Sequence, residues 1–338
     1  MSTYAGIDLH SNNIFLGIIG RDHKRLFNKR LPNKLSVIKK ALQPFKKALA
    51  GIAVESTFNW YWLVDGLQEA GYKMHLANPA AIKQYEGIKH RDDKSDALWL
   101  AQMLMLGILP EGYIYPKDQR PTRDLLRRRL LYVQQRTAHI LSLQSMASRS
   151  TGESLSTRAI KKLKPDEANT LFDQEHSKLA GSHALTTIQF LSTQVKAIEK
   201  AVMKFAKIKP EFTSLLTMPG IGNILGMTIM LEVGDIHRFK RAGNYASYCR
   251  CVKSEKLSNQ KKKGSGNRKN GNKYLSWAYV EAAHFAIRFQ PKARRFYDRK
   301  ASRTNNTVAR KALTNKMARA SYYIMRDQVA YDESKMFP

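Results

Sequence analysis

Roughly the first 115 residues alternate between two hydrophobic patterns, and this alternation restricts the fold more than any other feature of the chain. Short apolar runs rich in Ile, Leu and Val are typical of strands, whereas apolar residues repeated every three or four positions are typical of helices. The strand pattern occurs at Tyr4–Leu9, Ile14–Gly20, Lys24–Leu31, Gly51–Glu55 and Tyr72–Ala77. With Gly20-Arg21-Asp22 as a turn, the first three runs predict an antiparallel meander.

Three helices are predicted among these strands. Asn33 can cap a helix that continues to about Leu49, and Pro44 is expected to kink or split it. The range Asn59–Ala70 has the second helical pattern, and Gly71 is a natural left-handed residue to end it. A third helix begins near Asp92 and continues through Leu104. The order βββαβαβα predicts an α/β sandwich with helices on both sides of a mixed sheet.

The pattern becomes helical after Pro121, and it is interrupted between Thr151 and Ser182, where polar residues predict a loop or short helices. A heptad seam follows, with apolar residues at Ile188, Leu191, Val195, Ile198, Val202 and Phe205. Such a seam fits a helix packed within its own subunit and a dimeric coiled coil equally well. We expect it to hold subunits together if the second interpretation applies.

The break at Lys209-Pro210 begins a third region, Glu211–Pro338. Near its start, Pro219, Gly220 and Gly222 belong to a Pro-Gly-Ile-Gly turn between two helical patterns. Backbone N–H groups at such a turn can bind a DNA phosphate without reading sequence. The turn therefore predicts a helix-hairpin-helix, although the same tetrad is also a common tight turn.

The charge of the chain indicates a nucleic-acid partner. Lys and Arg number 58 against 27 Asp and Glu, which gives a net charge of +31 and a pI near 10.1. No apolar stretch approaches the length of a membrane span, and the N-terminus does not resemble a signal peptide. The two cysteines, Cys249 and Cys251, are predicted to be partly buried thiols rather than zinc ligands, as expected in a reducing cytoplasm.

Acidic residues are few, and several of them stand where strands end. Asp8 ends the first strand pattern and Glu55 ends the fourth, while Asp92, Asp93 and Asp96 lie at the start of a helix. Acids at strand ends face the region where α/β sheets bind ligands, and oxygen donors favour Mg²⁺ or Mn²⁺. The ordinary alternative is that the three aspartates only stabilise a helix N-terminus.

A polar stretch from Lys253 to Gly271 is predicted to be an irregular loop. It contains three serines, Ser254, Ser258 and Ser265, and spacing alone does not choose among them as a nucleophile. Five basic residues of this loop are predicted to bind nucleic acid: Lys261, Lys262, Lys263, Arg268 and Lys269.

Taken in order, these motifs resemble one family. Gly6-Ile7-Asp8, Val54-Glu55-Ser56-Thr57 and Asp93-Lys94-Ser95-Asp96-Ala97 resemble the DEDD insertion-sequence transposases, the bridge-RNA-guided serine recombinases related to the Piv invertases. Met218-Pro219-Gly220-Ile221-Gly222 and Asn270-Gly271-Asn272 are similar to the C-terminal transposase domain of that family. Two departures surround the serine, because the chain has Ser258-Asn259 for Ser-Gly and Arg250-Cys251-Val252-Lys253 for Gly-Leu-x-Pro.

The resemblance implies an RNase H-like (RuvC-like) N-terminal domain, similar to Holliday-junction resolvases. Its four acids would be Asp8, Glu55, Asp93 and Asp96, which would bind Mg²⁺, and Ser258 would be the nucleophile. It further implies that donor and target DNA are recombined under the direction of a structured noncoding RNA. Homo-oligomers, as a dimer or as a tetramer on DNA, would assemble the site in the bacterial cytoplasm, without a membrane.

We therefore expect an RNA-guided recombinase of three regions. These are an RNase H-like domain at residues 1–118, a helical and coiled-coil region at 119–210, and a C-terminal domain at 211–338 with a helix-hairpin-helix and the serine loop. Two alternatives are a metal-dependent junction nuclease without a covalent step and a non-catalytic nucleic-acid-binding protein.

Overall fold

The computed structural model describes residues 2–82, 93–206, 209–259, 261–264 and 270–337, without the side chains of residues 93, 94, 256, 257 and 262. The chain divides into two compact units, Met1–Lys117 and Asp118–Pro338. Predicted residues Asp92, Ser265, Arg268 and Lys269 lie outside the described part.

The first unit contains a five-stranded mixed sheet in the order β3-β2-β1-β4-β5. Strands β1, β2 and β3 form the predicted antiparallel meander, while β4 and β5 extend it in parallel to β1. The elements are β1 (Thr3–Leu9), β2 (Asn13–Gly20), β3 (Arg25–Pro32), α1 (Leu35–Leu42), β4 (Leu49–Glu55), α2 (Tyr61–Glu69), β5 (Met74–Ala77) and α3 (Asp93–Met105). The predicted order βββαβαβα is confirmed, and it is consistent with an RNase H-like fold.

Both faces of this sheet are covered by helices, as the sequence predicts. Side chains alternate between the faces of a strand. Ile7 and Val54 therefore pack with α1 and α2, in a core that includes Ile38 and Leu63. On the opposite face, Ala53 packs with Leu100 and its neighbours in α3. The acids that follow at the strand ends can be assigned to a face by the same alternation.

Two details of the predicted first helix are wrong. Asn33 does not cap it, because the residue before α1 is Lys34 and the amide of Asn33 instead donates to the carbonyl oxygen of His10 at 3.0 Å. The helix also ends before Leu49, since Pro44 lies in a 3₁₀ turn at Gln43–Phe45 and β4 begins soon afterwards. The left-handed Gly71 is confirmed, with φ of 82°.

The second unit is mainly helical, and its two longest helices form an antiparallel pair. Helix α7 begins at Glu175, so the predicted loop to Ser182 is too long, although two short helices do precede it. The elements are α4 (Arg120–Thr151), α5 (Thr157–Ile160), α6 (Ala168–Leu171), α7 (Glu175–Ala206), α8 (Pro210–Leu216), α9 (Asn223–Val233), α10 (Ala242–Tyr248), β6 (Lys256–Ser258), β7 (Lys261–Gly264), α11 (Lys273–Phe289), α12 (Pro291–Arg303), α13 (Asn306–Asp327) and α14 (Glu333–Met336).

The heptad seam of α7 packs inside the subunit. Leu191 and Val195 are buried within the single chain, and Ile188 belongs to a core shared with α4. Arg129 of α4 donates two hydrogen bonds to Glu199 of α7, at 2.8 and 2.7 Å. The intramolecular hairpin is therefore the correct interpretation, and the expectation that this seam joins subunits is wrong.

The C-terminal part of the second unit has its own core around α9, which is buried from Leu225 to Val233. This core includes both cysteines, which are free thiols and are more deeply buried than predicted. The stretch predicted to be irregular contains the short hairpin β6–β7. In the described part of the chain, none of the helices combines the length and the apolar character that crossing a membrane requires.

Candidate catalytic and nucleic-acid-binding site

Asp8 and Glu55 stand next to each other at the carboxyl ends of two parallel strands. The register pairs Ile7 of β1 with Val54 of β4, so the two acids occupy the next position along each strand. Asp8 is only 6% exposed, whereas Glu55 is half-buried. Because residues opposite each other on adjacent strands point to the same face, the two carboxylates project together.

Helix α3 is seated on that face by small residues. A Cβ on Gly6 would overlap the carbonyl oxygen of Ala97 and stand 2.6 Å from the backbone nitrogen of Ala101. Gly6 therefore faces α3, and Asp8, two residues later, faces the same side. This close approach fixes which turn of α3 lies over the middle of β1.

The direction of α3 brings its first turns toward the acids. Its Leu104 lies near Gly51, at the start of β4, so the helix runs opposite to the strand and begins near the strand's carboxyl end. Asp93 is the first residue of α3 and the half-buried Asp96 follows one turn later. Three elements that carry the predicted acids thus meet at one end of the sheet, although the Asp93 side chain lies outside the description.

His10 is a contact of Asp8 that the sequence interpretation did not include. Its Nε2 lies 3.1 Å from Oδ2 of Asp8. The backbone of His10 is held in turn, because its carbonyl oxygen accepts hydrogen bonds from the amides of Asn33 and Asn59, both at 3.0 Å. The Asp-x-His spacing at a strand end was the sequence signal for this contact.

The donor chemistry of this end of the sheet fits a divalent cation. Asp8, Glu55 and Asp96 offer only carboxylate oxygens, which suit hard cations such as Mg²⁺. Within the described residues, however, no three His, Cys, Asp or Glu side chains form a group that could hold a metal ion. The paired carboxylates of Asp8 and Glu55 are thus the part of the predicted set that the structure brings together.

The predicted serine loop forms a hairpin with a tight turn. Ser258 ends β6 and pairs with Lys261 of β7, and its side chain is exposed. Asn259 follows in the left-handed region with φ of 47°, a conformation that Asn and Gly adopt most readily. Lys263 is exposed on the same hairpin, whereas the side chain of Lys262 lies outside the description. Ser258 is therefore an exposed hydroxyl among lysines.

Ser254, another of the three candidate serines, lies in a separate setting. It lines an open cavity of about 1040 Å³ together with Arg238, Lys253 and Lys311. Ser254 itself is half-buried. The structure thus places two of the three candidate serines in basic surroundings, and the third, Ser265, is not described.

The two ends of the serine loop are joined by backbone contacts, which we call the loop-base clamp (Tyr248, Arg250, Gly271 and Asn272). The guanidinium of Arg250 donates to the carbonyl oxygen of Gly271 at 2.9 Å, and the Asn272 N–H donates to that of Tyr248 at 2.6 Å. Gly271 has φ of 90°, and a Cβ there would stand 2.5 Å from the Tyr248 oxygen. Glycine is therefore required at the closing end of the clamp.

A buried carboxylate ties this clamp to the long helix hairpin. Glu232 of α9 is 3% exposed and accepts hydrogen bonds from Nε and Nη2 of Arg127, at 2.6 and 2.7 Å. Asn272 donates to the same carboxylate at 2.7 Å, while its side-chain oxygen caps α11. Burial alone would lower the pKa of Arg127, but hydrogen bonding to Glu232 and its charge raise that pKa above the ordinary value.

The Pro219 turn has a packing role that the sequence did not predict. Gly220 has φ of 86°, and a Cβ there would stand 2.9 Å from the backbone nitrogen of Ala286 in α11. Gly222, by contrast, faces open space. Beside the turn lies a cavity of about 530 Å³, lined by Phe285 and Phe289. Glycine at position 220 is thus explained by its approach to α11.

Two family models match this chain. A DEDD-type model described as "Transposase" matches residues 5–150, which include Asp8, Glu55 and Asp96. A second, described as "Transposase IS116/IS110/IS902 family", matches residues 213–298, which include the serine hairpin. Fold and matches together assign the chain to a class, the DEDD-type transposases. The chain belongs to the IS110-type family of DEDD transposases, whose type suggests the use of a divalent metal ion.

Two relatives agree with this assignment. The chain is 28% identical over 144 residues to a 43.6 kDa protein of insertion element IS110 from Streptomyces coelicolor, over 42% of this chain and 35% of the relative. It is 23% identical over 267 residues to y4qE of Sinorhizobium fredii, which is named as a transposase, over 77% of this chain and 65% of the relative. Each match thus covers less than two thirds of the relative's own length.

Proposed function

We propose that this protein cleaves and exchanges DNA strands to move an insertion sequence, with Mg²⁺ held by Asp8, Glu55, Asp93 and Asp96. The observation that carries the proposal is the placement of Asp8 beside Glu55 at the strand ends, with the N-terminal end of α3 directed toward them. In a chain of net charge +31, two converging carboxylates are expected only where a cation compensates for their repulsion.

The protein's own residues would prepare the scissile phosphate for attack. Asp8 and Glu55 would hold the cation at the strand ends, where it can meet the phosphate, and His10 would hold Asp8 in its orientation. When bound, Mg²⁺ would supply Lewis-acid polarisation of the phosphate. Mn²⁺ would serve the same donor set.

Ser258 is our proposed nucleophile. Its oxygen would form a bond to phosphorus while one bond from phosphorus to a deoxyribose oxygen breaks, and the serine proton would end on the departing sugar hydroxyl. The resulting phosphoserine would conserve the bond energy for strand exchange, because a second sugar hydroxyl can reverse the step and release the serine.

The backbone supports this choice of serine despite the departures from the family pattern. Where the family has glycine, the chain has Asn259 and Arg250, and these residues have φ of 47° and 55°. Both therefore adopt the left-handed conformation that glycine adopts without strain. Both positions therefore have a backbone conformation that glycine would also adopt, which supports the match to the family pattern that assigns Ser258.

A structured noncoding RNA would supply sequence specificity, as the family resemblance implies. If base pairing reads the target, the protein needs only contacts to nucleic-acid backbones. The exposed lysines of the serine hairpin, Lys261 and Lys263, are suited to such contacts. We further propose that the active form is a homo-oligomer on donor and target DNA.

Covalent trapping tests the proposal. The protein, with the RNA that copurifies with it, is incubated with nicked suicide DNA substrates and Mg²⁺, and denaturing gels are examined for a protein–DNA adduct. We expect an adduct with the unchanged protein and with Ser254→Ala, and none with Ser258→Ala or Asp8→Asn.

Each other outcome has a definite meaning. An adduct that persists in Ser258→Ala would eliminate Ser258, and cleavage by Asp8→Asn would eliminate the metal assignment. Cleavage without an adduct would favour a junction-type nuclease, and tight binding without any cleavage would favour a non-catalytic nucleic-acid-binding protein.

A further inference from the structure

A continuous groove crosses the C-terminal part of the second unit beside the serine loop. The cavity of about 1040 Å³ that contains Ser254 adjoins a second cavity of about 560 Å³, and the two share Lys240, Asn244 and Ser247. We call this the α10–α13 groove, defined by Lys240, Arg241, Asn244, Ser247, Lys311 and Arg319.

The groove is strongly and uniformly positive. Lys240, Arg241, Lys311 and Arg319 are all exposed, and none has an ion pair among the described residues. Within the described lining of the two cavities, Glu255 is the single acid, and its Oε1 is already contacted by Nζ of Lys253 at 2.5 Å. An ordinary solvated surface intersperses charges of both signs, so this arrangement indicates an anionic occupant.

The floor of the groove is rigid. The hydroxyl of Tyr322 in α13 donates to the carbonyl oxygen of Phe239 at 2.9 Å, and the hydroxyls of Tyr245 and Tyr279 are hydrogen-bonded at 2.7 Å. These three tyrosines are buried. Because the backbone that carries Lys240 and Arg241 is fixed before binding, little conformational entropy is lost when an extended ligand arrives.

Arg319 of α13 reaches across the groove to the first turn of α10. A Cβ on Gly243, in the first turn of α10, would stand 3.8 Å from Nη1 of Arg319 in α13. The guanidinium of Arg319 therefore lies near the start of α10, and Arg319 lines the same cavity as Arg241, the residue before that helix. Cations of α13 and of the segment that precedes α10 thus face one cavity rather than forming a single-helix stripe.

We infer that the α10–α13 groove binds the phosphate backbone of duplex DNA and leads it to the serine loop. The inference deepens the proposed function and rests on it, because DNA is chosen over RNA on the ground that the groove is continuous with the cavity lined by both ends of the serine loop, at Lys253–Glu255 and at Asn270 and Gly271. Contacts of this kind fix the position of the duplex without reading its sequence.

Salt-dependent binding tests the groove. Affinity for a mixed-sequence DNA duplex is measured as a function of salt concentration for the unchanged protein and for Arg241→Ala/Arg319→Ala. Each phosphate contact contributes about 0.9 to the slope of log affinity against log salt, so we expect the slope to fall by about 2. The double lysine variant, Arg241→Lys/Arg319→Lys, should recover the slope because it keeps both charges.

The matched control is Arg295→Ala/Arg299→Ala, which removes two exposed arginines from α12 that line neither cavity. Its slope should equal that of the unchanged protein. The inference would be overturned if the unchanged protein, Arg241→Ala/Arg319→Ala and the control had equal salt slopes. It would also be overturned if the slope of the control fell as much as that of the groove variant. A slope change seen with single- or double-stranded RNA but not with duplex DNA would also overturn it.

This test is independent of the trapping experiment. If the salt slope of Arg241→Ala/Arg319→Ala equals that of the unchanged protein, and the unchanged protein still forms the Ser258 adduct, the inference about the groove is wrong and the proposed function stands. If no adduct forms with any protein but the slope falls as expected, the groove stands as a DNA-binding site and the covalent mechanism is wrong.

Discussion

Gly6 of β1 lies directly against the backbone of Ala97 in α3, with no room for a side chain between them. The contact determines where α3 sits on the sheet, and therefore where Asp93 and Asp96 begin relative to Asp8. A glycine that contributes no functional group is thus required for the geometry of the candidate metal site.

Replacing Gly6 should separate α3 from the sheet. Gly6→Ala would overlap the Ala97 carbonyl, and overpacking against backbone should lower the free energy of unfolding by about 3 kcal/mol. Gly112→Ala is the control, because a Cβ there would stand 3.4 Å from the nearest atom, the Leu76 oxygen. Thermal melts and DNA cleavage would be compared, and equal values for the two variants would contradict the seating role of Gly6.

Removing the buried carboxylate of Glu232 should be far more costly than removing a similar surface partner. Glu232→Ala leaves Arg127 and Asn272 without their shared acceptor and should cost about 3–5 kcal/mol. Glu199→Ala removes the partner of Arg129 at a more exposed position, 31% for the Glu199 side chain, and should cost about 1 kcal/mol or less. Urea unfolding measures both, and similar costs would disprove the buried anchor.

The packing of α7 predicts opposite results for two adjacent residues. Leu191 is 6% exposed and Phe190 is 59% exposed. Leu191→Asp should bury an unpaired charge and cost more than about 4 kcal/mol, whereas Phe190→Asp should stay within about 1 kcal/mol. Unfolding and sedimentation would be measured together. If Leu191→Asp changed only the oligomeric state, the seam would be an interface between subunits after all.

The buried thiols predict a loss of stability at alkaline pH. Burial raises the pKa of Cys251 to about 12, from an ordinary value of 9.0, and raises that of Cys249 as well. The unfolded chain therefore releases these protons first, so stability is fully present below about pH 9 and is lost as the pH rises toward 12. Cys251→Ala should show a shallower loss than the unchanged protein over pH 9 to 11, and parallel curves would contradict the pKa shift.

Much of the first unit could be predicted, because the strands β1, β2 and β4 and the helices that cover them are dictated by local hydrophobic period. The acids Asp8 and Glu55 follow from the same pattern, since Glu55 ends β4 and Asp8 is the next-to-last residue of β1. The hydrophobic period does not indicate which of several possible partners a polar side chain will bond. Asn33 bonds the His10 carbonyl instead of capping α1, and nothing local to Asn33 indicates that choice.

The second unit is harder to predict from the sequence, because the contacts that decide its structure join residues far apart in the chain. The seam at Leu191 and Val195 has the same spacing in a hairpin and in a dimer, so only the position of α4 decides between them. Arg127, Glu232 and Asn272 are far apart in sequence, and no motif links them. The prediction that the Gly220 turn binds a phosphate follows from local sequence, whereas the contact of Gly220 with α11 depends on a helix that begins more than fifty residues later.

The loop-base clamp means that the chain between Arg250 and Gly271 is already closed, whatever that segment contains. The entropic cost of bringing the two ends of a loop together grows only slowly with the length of the loop. Here the contacts of the flanking residues offset that cost. Between Lys253 and Asn270, residues can therefore be inserted, deleted or exchanged with little effect on folding, whereas Cys251 belongs to the buried core. We expect this to be the segment where related elements diverge most freely in length, while Gly271 and Asn272 stay constant.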